Sequence, residues 1–145
     1  MDEIKLRIYG LPAPQGSKKI IRGRLIEASG EKLRKWRKAI AEACQSLPKR
    51  DLLLSPVGVE VEFYLPRPAS VKQSKRPMPI VPPDLDKLVR GLLDGIGQSE
   101  VVWRDDSQVV EISAKKTYAD GTDPGASIRI FLLYATPDFG RESLL

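Results

Sequence analysis

Acidic residues stand close together at two points of this sequence, in PPDLDKLVRGLLDGI and, further along, in WRDDSQVVEI. The first stretch supplies Asp84 and Asp86, and the second supplies Asp105 and Asp106. Carboxylate oxygens are the ligands that Mg²⁺ prefers, and this ion often takes few protein ligands because it keeps several waters. Such an ion can activate water and stabilise the charge that develops in phosphodiester hydrolysis. The two stretches therefore predict the two halves of one metal site.

Each acidic pair also has a simpler structural explanation. Pro82 and Pro83 restrict the backbone just ahead of Asp84, which suits Asp84 to the N-cap of a helix with Asp86 in its first turn. Carboxylates at a helix start are stabilised by the helix dipole without any further role. The second pair precedes a strand, where two acids in a turn are common. Because neighbouring side chains of an extended chain point to different sides, we expect only one of its members to meet the first pair.

The predicted helix after Asp84 carries further charged residues on one face. At about 100° per residue, with Asp84 as zero, Asp86 falls at about 200°, Arg90 at about 240°, Asp94 at about 280° and Lys87 at about 300°. The apolar residues occupy the other side of the helix. Asp86 and Arg90 are spaced as an i, i+4 pair, which is compatible with a structural salt bridge and with a role in the site.

Basic residues are concentrated in two segments of a chain whose net charge is +5. Residues 15–38 carry nine basic and two acidic residues, a balance of +7, and residues 66–83 carry four basic residues and no acid. Such segments are typical of a protein that binds a polyanion, although a solvated charged face gives the same pattern. The candidate DNA-binding residues are Lys18, Lys19, Arg22, Arg24, Arg34, Lys35, Arg37, Lys38, Lys72, Lys75 and Arg76.

Hydrophobic periodicity predicts the elements that must position these residues. The predicted strands span residues 3–9, 57–65, 109–118 and 126–133, with a small hairpin at 20–26; a first helix spans 31–47 after Ser29 as N-cap, and a second runs from 85 to a left-handed cap near Gly95 and Gly97. In the third strand we expect Val110, Ile112 and Ala114 to point inward. Residues 66–83 are predicted to form an exposed, mobile loop.

The order of these elements predicts an α+β fold, a mixed sheet of about four strands covered by two main helices. We expect one domain over residues 1–136 and a C-terminal tail over residues 137–145. Trp36 and Cys44 lie on the apolar stripe of the first helix, so both are expected in the core. A single cysteine fits a reducing compartment.

Composition excludes several classes of function. The chain contains no histidine, which removes the usual general base and the commonest zinc ligand. Catalysis would then depend on carboxylates, Lys, Arg or hydroxyls. No apolar run approaches the length of a membrane span, and the first residues lack the pattern of a secretory signal, so we expect a cytoplasmic protein.

At this point the residues carry a resemblance. A D-x-D at the start of an apolar-striped helix, a basic residue four positions later, a further Asp, and then W-x-D-D-x-Q-V entering a strand resemble the RusA family of Holliday junction resolvases. The match is specific from Pro83 to Lys116. It implies a homodimeric, Mg²⁺-dependent endonuclease, with Mn²⁺ as a substitute and no organic cofactor, that cuts paired strands of a four-way DNA junction in a bacterium or its phage. By position, the metal ligands would be Asp84, Asp86 and Asp106, with Asp105 accessory.

Two positions depart from the family pattern. Lys87 stands where the family usually has Asn, and Arg90 stands where it usually has Lys. An arginine practically cannot donate a proton to a leaving oxygen, but it can hold a phosphate bidentately. We therefore expect Arg90 to stabilise charge and Lys87 to be a substitute for the missing amine. A nuclease for other branched DNA and a non-catalytic DNA-binding module are the alternative functions.

Overall fold

The computed structural model describes residues 3–16, 18–27 and 30–133. Its strands are β1 (Glu3–Tyr9), β2 (Lys18–Ile21), β3 (Arg24–Glu27), β4 (Val57–Leu65), β5 (Val109–Tyr118) and β6 (Gly125–Leu132), and its α-helices are α1 (Gly30–Gln45) and α2 (Leu85–Ser99). A 3₁₀ turn, Asp106–Gln108, leads into β5. The expected helix cap Ser29 and the expected tail at 137–145 lie outside the described residues. No described helix is long and apolar enough to cross a membrane.

Four strands form one mixed sheet in the order β1-β6-β4-β5. The pairs β1–β6 and β6–β4 are antiparallel, whereas β4 and β5 run parallel. The helix α2 lies between β4 and β5 in sequence and makes the crossover that a parallel pair requires. The strands β2 and β3 form the predicted hairpin as a separate ladder. The predicted α+β fold with two main helices on a mixed four-stranded sheet is confirmed.

The helices cover one face of the sheet through the predicted apolar stripes. In α1 the buried residues are Leu33, Trp36, Ile40 and Cys44, and in α2 they include Leu88, Leu92 and Ile96. These side chains share one core cluster with inward residues of β1, β4 and β6. The core positions predicted for Trp36 and Cys44 are confirmed, since each is 1% exposed.

The predicted end of α2 is wrong. The helix continues through Gly95 and Gly97 to Ser99, and Glu100 supplies the left-handed cap with φ of 61°. Gly95 has a packing reason instead, because a Cβ there would lie 2.9 Å from Cδ1 of Ile40 on α1. The absence of a side chain therefore lets the two helices approach closely.

The inward orientation predicted for Ile112 and Ala114 is confirmed, since they pair with the buried residues Val59 and Val61, but the one predicted for Val110 is wrong. Val110 is 62% exposed and Ile112 is 45% exposed, whereas Ala114 is half-buried. The register shifts opposite Val57 and Gly58, so Val110 has no partner in β4 and forms a bulge. Because β5 is the edge strand, the helix layer covers it incompletely.

Gly95→Ala should destabilise the protein by about 1–3 kcal/mol, since the new methyl overlaps Ile40 in a packed helix contact. Gly97→Ala is the matched control. A Cβ at Gly97 meets nothing closer than Trp103 Nε1 at 3.6 Å, so alanine should stabilise the helix by up to roughly 1 kcal/mol. Urea unfolding of both variants measures the difference. Equal stabilisation by the two substitutions would contradict the close approach of the helices.

Candidate active site

The first acidic pair lies at the start of α2, as predicted. Asp84 is the N-cap residue by its extended backbone, but its side chain makes no cap hydrogen bond. Its carboxylate is exposed and lies 3.7 Å from Nζ of Lys87. Asp86 lies in the first turn and has no ion pair among the described residues. Capping therefore accounts for the backbone of Asp84 but leaves both carboxylates available.

A lysine of β5 fixes the chain just before this pair. Nζ of Lys116 donates hydrogen bonds to the carbonyl oxygens of Val81 at 2.9 Å and Pro83 at 2.8 Å. Hydrogen bonds from a charged donor are among the stronger ones in proteins. Lys116 thus ties the entrance of α2 to the far end of β5 and sets where Asp84 stands.

The second pair is separated into two roles by the 3₁₀ turn. Asp105 accepts a hydrogen bond from the backbone N–H of Ser107 at 3.0 Å and completes a capping box with Gln108. Hydrogen bonds from the hydroxyl and backbone N–H of Ser107 lower the pKa of Asp105. Asp105 is therefore a structural cap, and Asp106 is the member of the pair that remains available. The expectation that one of the two meets Asp84 and Asp86 stays a prediction.

Gln108 fixes the turn through both the oxygen and the nitrogen of its side-chain amide. Its Oε1 accepts from the backbone N–H groups of Arg104 and Asp105, each at 2.9 Å. Its Nε2 donates to the carbonyl oxygens of Leu53 at 2.7 Å and Ser55 at 3.2 Å. The turn is thus fixed to the segment that precedes β4.

Trp103 anchors the same turn in the core. The side chain is 1% exposed, and its backbone forms an isolated parallel bridge with Leu53. The backbone N–H of Leu53 donates to the carbonyl of Val102 at 2.8 Å. Trp103 and Gln108 therefore explain why the acidic pair stands within W-x-D-D-x-Q-V.

Asp106 faces a carboxylate that the predicted ligand set omitted. Partial burial of the carboxyl, followed by the charges of Asp105 and Asp94, raises the pKa of Asp106. Asp94 comes from the second half of α2 and lies 3.6 Å from Nη2 of Arg37 on α1. Its sequence signal was its place near Asp86 on the polar face of the helix.

The predicted ligands are not all brought together. Among residues 3–16, 18–27 and 30–133, no group of three or more His, Cys, Asp or Glu side chains is close enough to hold a metal ion. Asp106 lies beside Asp94, and Asp94 is eight residues beyond Asp86, or about 12 Å along the helix axis. The two acidic pairs therefore lie towards opposite ends of α2.

The donor set nevertheless fits a hard divalent cation. All candidate ligands offer carboxylate oxygens, which suit Mg²⁺. Asp86 has no ion pair within the described chain, and partial desolvation, followed by the charges of Asp105 and Asp94, raises the pKa of Asp106. Negative charge without full compensation is what a cation site requires.

The two cations assigned to the site differ in their contacts. Asp86 and Arg90, which are spaced as an i, i+4 pair, form no ion pair with each other within the described chain. Arg90 is exposed, and its Nη1 lies beside Gly16, where a Cβ would approach it to 2.9 Å. Lys87 instead pairs with Asp84, and its carbonyl accepts from the backbone N–H of Gln15 at 3.1 Å.

The basic candidates also divide by their partners. On α1, Arg34 and Lys35 pair with Glu31, while Arg37 contacts Asp94 and the side chain of Gln15 and so faces α2 rather than solvent. Arg76 is partly exposed. The five other candidates with described side chains are exposed: Arg22, Arg24, Lys38, Lys72 and Lys75. The side chains of Lys18 and Lys19 lie outside the described part of the chain.

Comparison with known proteins bears on the same stretches. The family model described as Endodeoxyribonuclease RusA matches residues 10–131, a span that includes both acidic pairs and the basic loop. The chain is also similar to "Uncharacterized protein YqaN" of Bacillus subtilis (strain 168), with 29% identity over 131 residues that cover 83% of this chain and 91% of that protein.

The opposite pKa shifts of the adjacent acids predict opposite effects on stability. Asp106→Asn should raise Tm at pH 7 because it removes a charge whose folded-state pKa is raised. The advantage should shrink as pH falls through the pKa of Asp106, where the wild-type carboxyl becomes neutral. Asp105→Asn should lower Tm at pH 7, because a carboxyl with a lowered pKa stabilises the fold above its unfolded pKa.

Thermal unfolding of both variants between pH 7 and about pH 2.5 tests this pair of predictions, since the contribution of Asp105 is lost only below its unfolded pKa. The effect of Asp105→Asn should also fade at low pH, as the stabilising charge of the wild type is lost. Shifts of the same sign at pH 7 would contradict the division of roles between the two residues.

Proposed function

The chain belongs to the RusA family of endodeoxyribonucleases, and we propose that it resolves four-way DNA junctions by paired, symmetric, Mg²⁺-dependent phosphodiester cleavage. The observation that supports the proposal most directly is the division of labour at the second acidic pair. Asp105 is used as a cap, whereas Asp106 is left exposed beside another carboxylate. A turn with only a structural role would need the cap residue Asp105 but not the carboxylate of Asp106.

The metal ligands in this proposal are Asp84, Asp86 and Asp106, with Asp94 as a neighbour of Asp106. A bound Mg²⁺, or Mn²⁺ in its place, would supply activation of a water molecule and stabilisation of negative charge on the phosphate. The chain's own contribution is to keep these carboxylates available. Lys116 fixes the entrance to Asp84, and Gln108 fixes the turn that carries Asp106.

The cations beside the first pair have different capacities. Arg90 is exposed and carries a planar guanidinium, so it can hold a substrate phosphate and stabilise its charge. Lys87 stands beside Asp84 and carries an ammonium group that can donate a proton to a leaving oxygen. We therefore assign charge stabilisation to Arg90 and proton donation to Lys87.

The substrate and the assembly follow from the same proposal. Exposed basic side chains would contact the DNA backbone, and each neutralised phosphate would release counterions, so affinity should fall steeply with salt. Two symmetric cuts require two sites related by a two-fold axis, which is the reason to propose a homodimer. The place of action would be the cytoplasm of a bacterium, for a bacterial or a phage protein.

One observation favours a different function. The two acidic pairs lie towards opposite ends of α2, and no described group of three acidic ligands is assembled. A non-catalytic DNA-binding module would need no such group. A nuclease for other branched DNA is the remaining alternative, and Y-forks and linear duplex compared with four-way junctions separate it from a resolvase.

Asp86→Asn should abolish cleavage of a mobile four-way junction in Mg²⁺, with a loss of roughly 100-fold or more, while junction binding is kept. The reason is that Asp86 contributes charge to the site but no contact that the fold depends on. Asp51→Asn, which changes an exposed acid outside the site, is the matched control and should cut like the wild type.

The readout is the yield of paired symmetric nicks in Mg²⁺ and in EDTA. Equal cutting by Asp86→Asn and the wild type would exclude the proposed metal site. A wild type that binds the junction and never cuts it would instead favour the DNA-binding module.

A further inference from the structure

The loop at residues 66–83 is held at both of its ends by the end of β5. Three alternating residues of one segment, Lys116, Tyr118 and Asp120, make these contacts. Side chains two residues apart in an extended chain point to the same side. The loop contains no helix or strand, but its backbone is fixed by side chains of a neighbouring element.

Arg67 forms the first of these attachments. Its guanidinium lies 4.0 Å from the centre of the Tyr118 ring and makes hydrogen bonds of 2.9 and 2.8 Å to the two carboxylate oxygens of Asp120. Nη1 donates to the carbonyl of Arg76 at 2.6 Å, and Nη2 lies 3.4 Å from the carbonyl of Pro77. One side chain therefore joins the start of the loop, its far side and the end of β5.

Lys116 forms the second attachment, at the end of the loop. Its hydrogen bonds to Val81 and Pro83 hold the last residues before Asp84. The loop is thus continuous with the start of α2, where the first acidic pair stands. Whatever binds the loop is placed next to that pair.

The part of the loop between the two attachments forms a basic cavity. A depression of about 390 Å³ is lined by Ser70, Val71, Lys72, Lys75 and Arg76. The backbone N–H groups of Lys75 and Arg76 donate to the carbonyl of Lys72 at 3.0 and 3.1 Å, which closes a tight turn. The turn brings the three cations of the cavity together.

The charge of this cavity is not compensated. The loop itself contains no acidic residue, and within the described chain Lys72, Lys75 and Arg76 have no ion pair with Asp or Glu. Asp120, just beyond β5, is paired with Arg67. Three cations in a fixed depression form a site for an anion with several oxygen acceptors.

We propose that this cavity binds a backbone phosphate of the DNA substrate, with Lys72 and Lys75 as its donors and Arg67 as the positioning residue that gives it its shape. The inference rests on the proposed function, because the loop leads directly into the acidic pair at the start of α2. The contact reads the DNA backbone and carries no sequence information.

Lys72→Gln/Lys75→Gln tests the charge of the cavity. Both side chains are exposed, so the fold is retained. In a plot of log affinity against log salt, the slope for a four-way junction should become shallower by about 1 for each phosphate that the variant no longer neutralises, and affinity at low salt should fall on the order of tenfold. Lys49→Gln, an exposed lysine outside the loop, is the control and should keep the wild-type slope.

Two junctions of unrelated sequence should show the same factor of weakening in affinity. A slope that is unchanged in the double variant overturns the proposal, and so does a weakening that depends on sequence, because that would indicate base contacts. If the wild type itself fails to bind the junction, the proposed function fails. If the wild type binds and cuts the junction but the double variant has an unchanged slope, only the proposed phosphate site in the cavity is refuted and the proposed function stands.

Arg67→Lys tests the shape of the cavity at constant charge. A lysine keeps the positive charge but cannot make the two-oxygen contact with Asp120 together with the bond to Arg76. Hydrogen exchange of residues 68–77 should become faster, and junction affinity should fall several-fold. Wild-type affinity in a variant whose loop exchanges faster would show that the fixed shape is irrelevant and would overturn the role of Arg67.

Discussion

The parallel pairing of β4 with β5 is the constraint on which the arrangement of the site depends. Two parallel neighbours require the chain to return from the end of the first strand to the start of the second, and α2 makes that return. The helix must therefore run opposite to β5. Its start then lies near the end of β5, where Lys116 holds Val81 and Pro83, and its second half lies near the start of β5, where Asp94 faces Asp106. Both contacts follow from one feature of the topology.

The electrostatics of the site follow from which acids the fold neutralises. Asp105 gains hydrogen bonds and a lowered pKa, and Asp120 is neutralised by Arg67. Asp106 has the opposite environment, because partial desolvation of this exposed residue's carboxyl and the charges of Asp105 and Asp94 raise its pKa. A protein with excess positive charge could have compensated this negative charge, yet the guanidinium of Arg37 pairs with Asp94. The negative charge is thus concentrated where a cation could bind.

Local sequence patterns predicted the elements well because each helix and most strands bury one regular face. The stripes of α1 and α2 and the alternation in β1, β4 and β6 all have this origin. The strand β5 departed from its pattern because a bulge removes Val110 from the ladder and an edge position leaves Ile112 exposed. The helix end was misplaced because Gly95 serves a contact with Ile40 that no local signal reveals. The angles around the helix were enough to place Asp94 on the charged face of α2. The contact between Asp94 and Asp106 depends on the crossover from β4 to β5, which the angles do not reveal.

The basic residues also could not be sorted from the sequence alone. A count of charges does not distinguish cations that are available to DNA from cations that already pair with an acidic residue of the chain. The first segment has the larger balance in sequence, but Arg34, Lys35 and Arg37 all have acidic partners. A polyanion would have to compete with those partners, although the exposed pairs with Glu31 are weak and easily exchanged. The loop has fewer cations and no acids, and its attachments span more than thirty residues of sequence. Since the backbone that carries those cations is fixed on folding, binding there costs less conformational entropy than it would in a free loop. The smaller basic segment is therefore the better prepared site for phosphate.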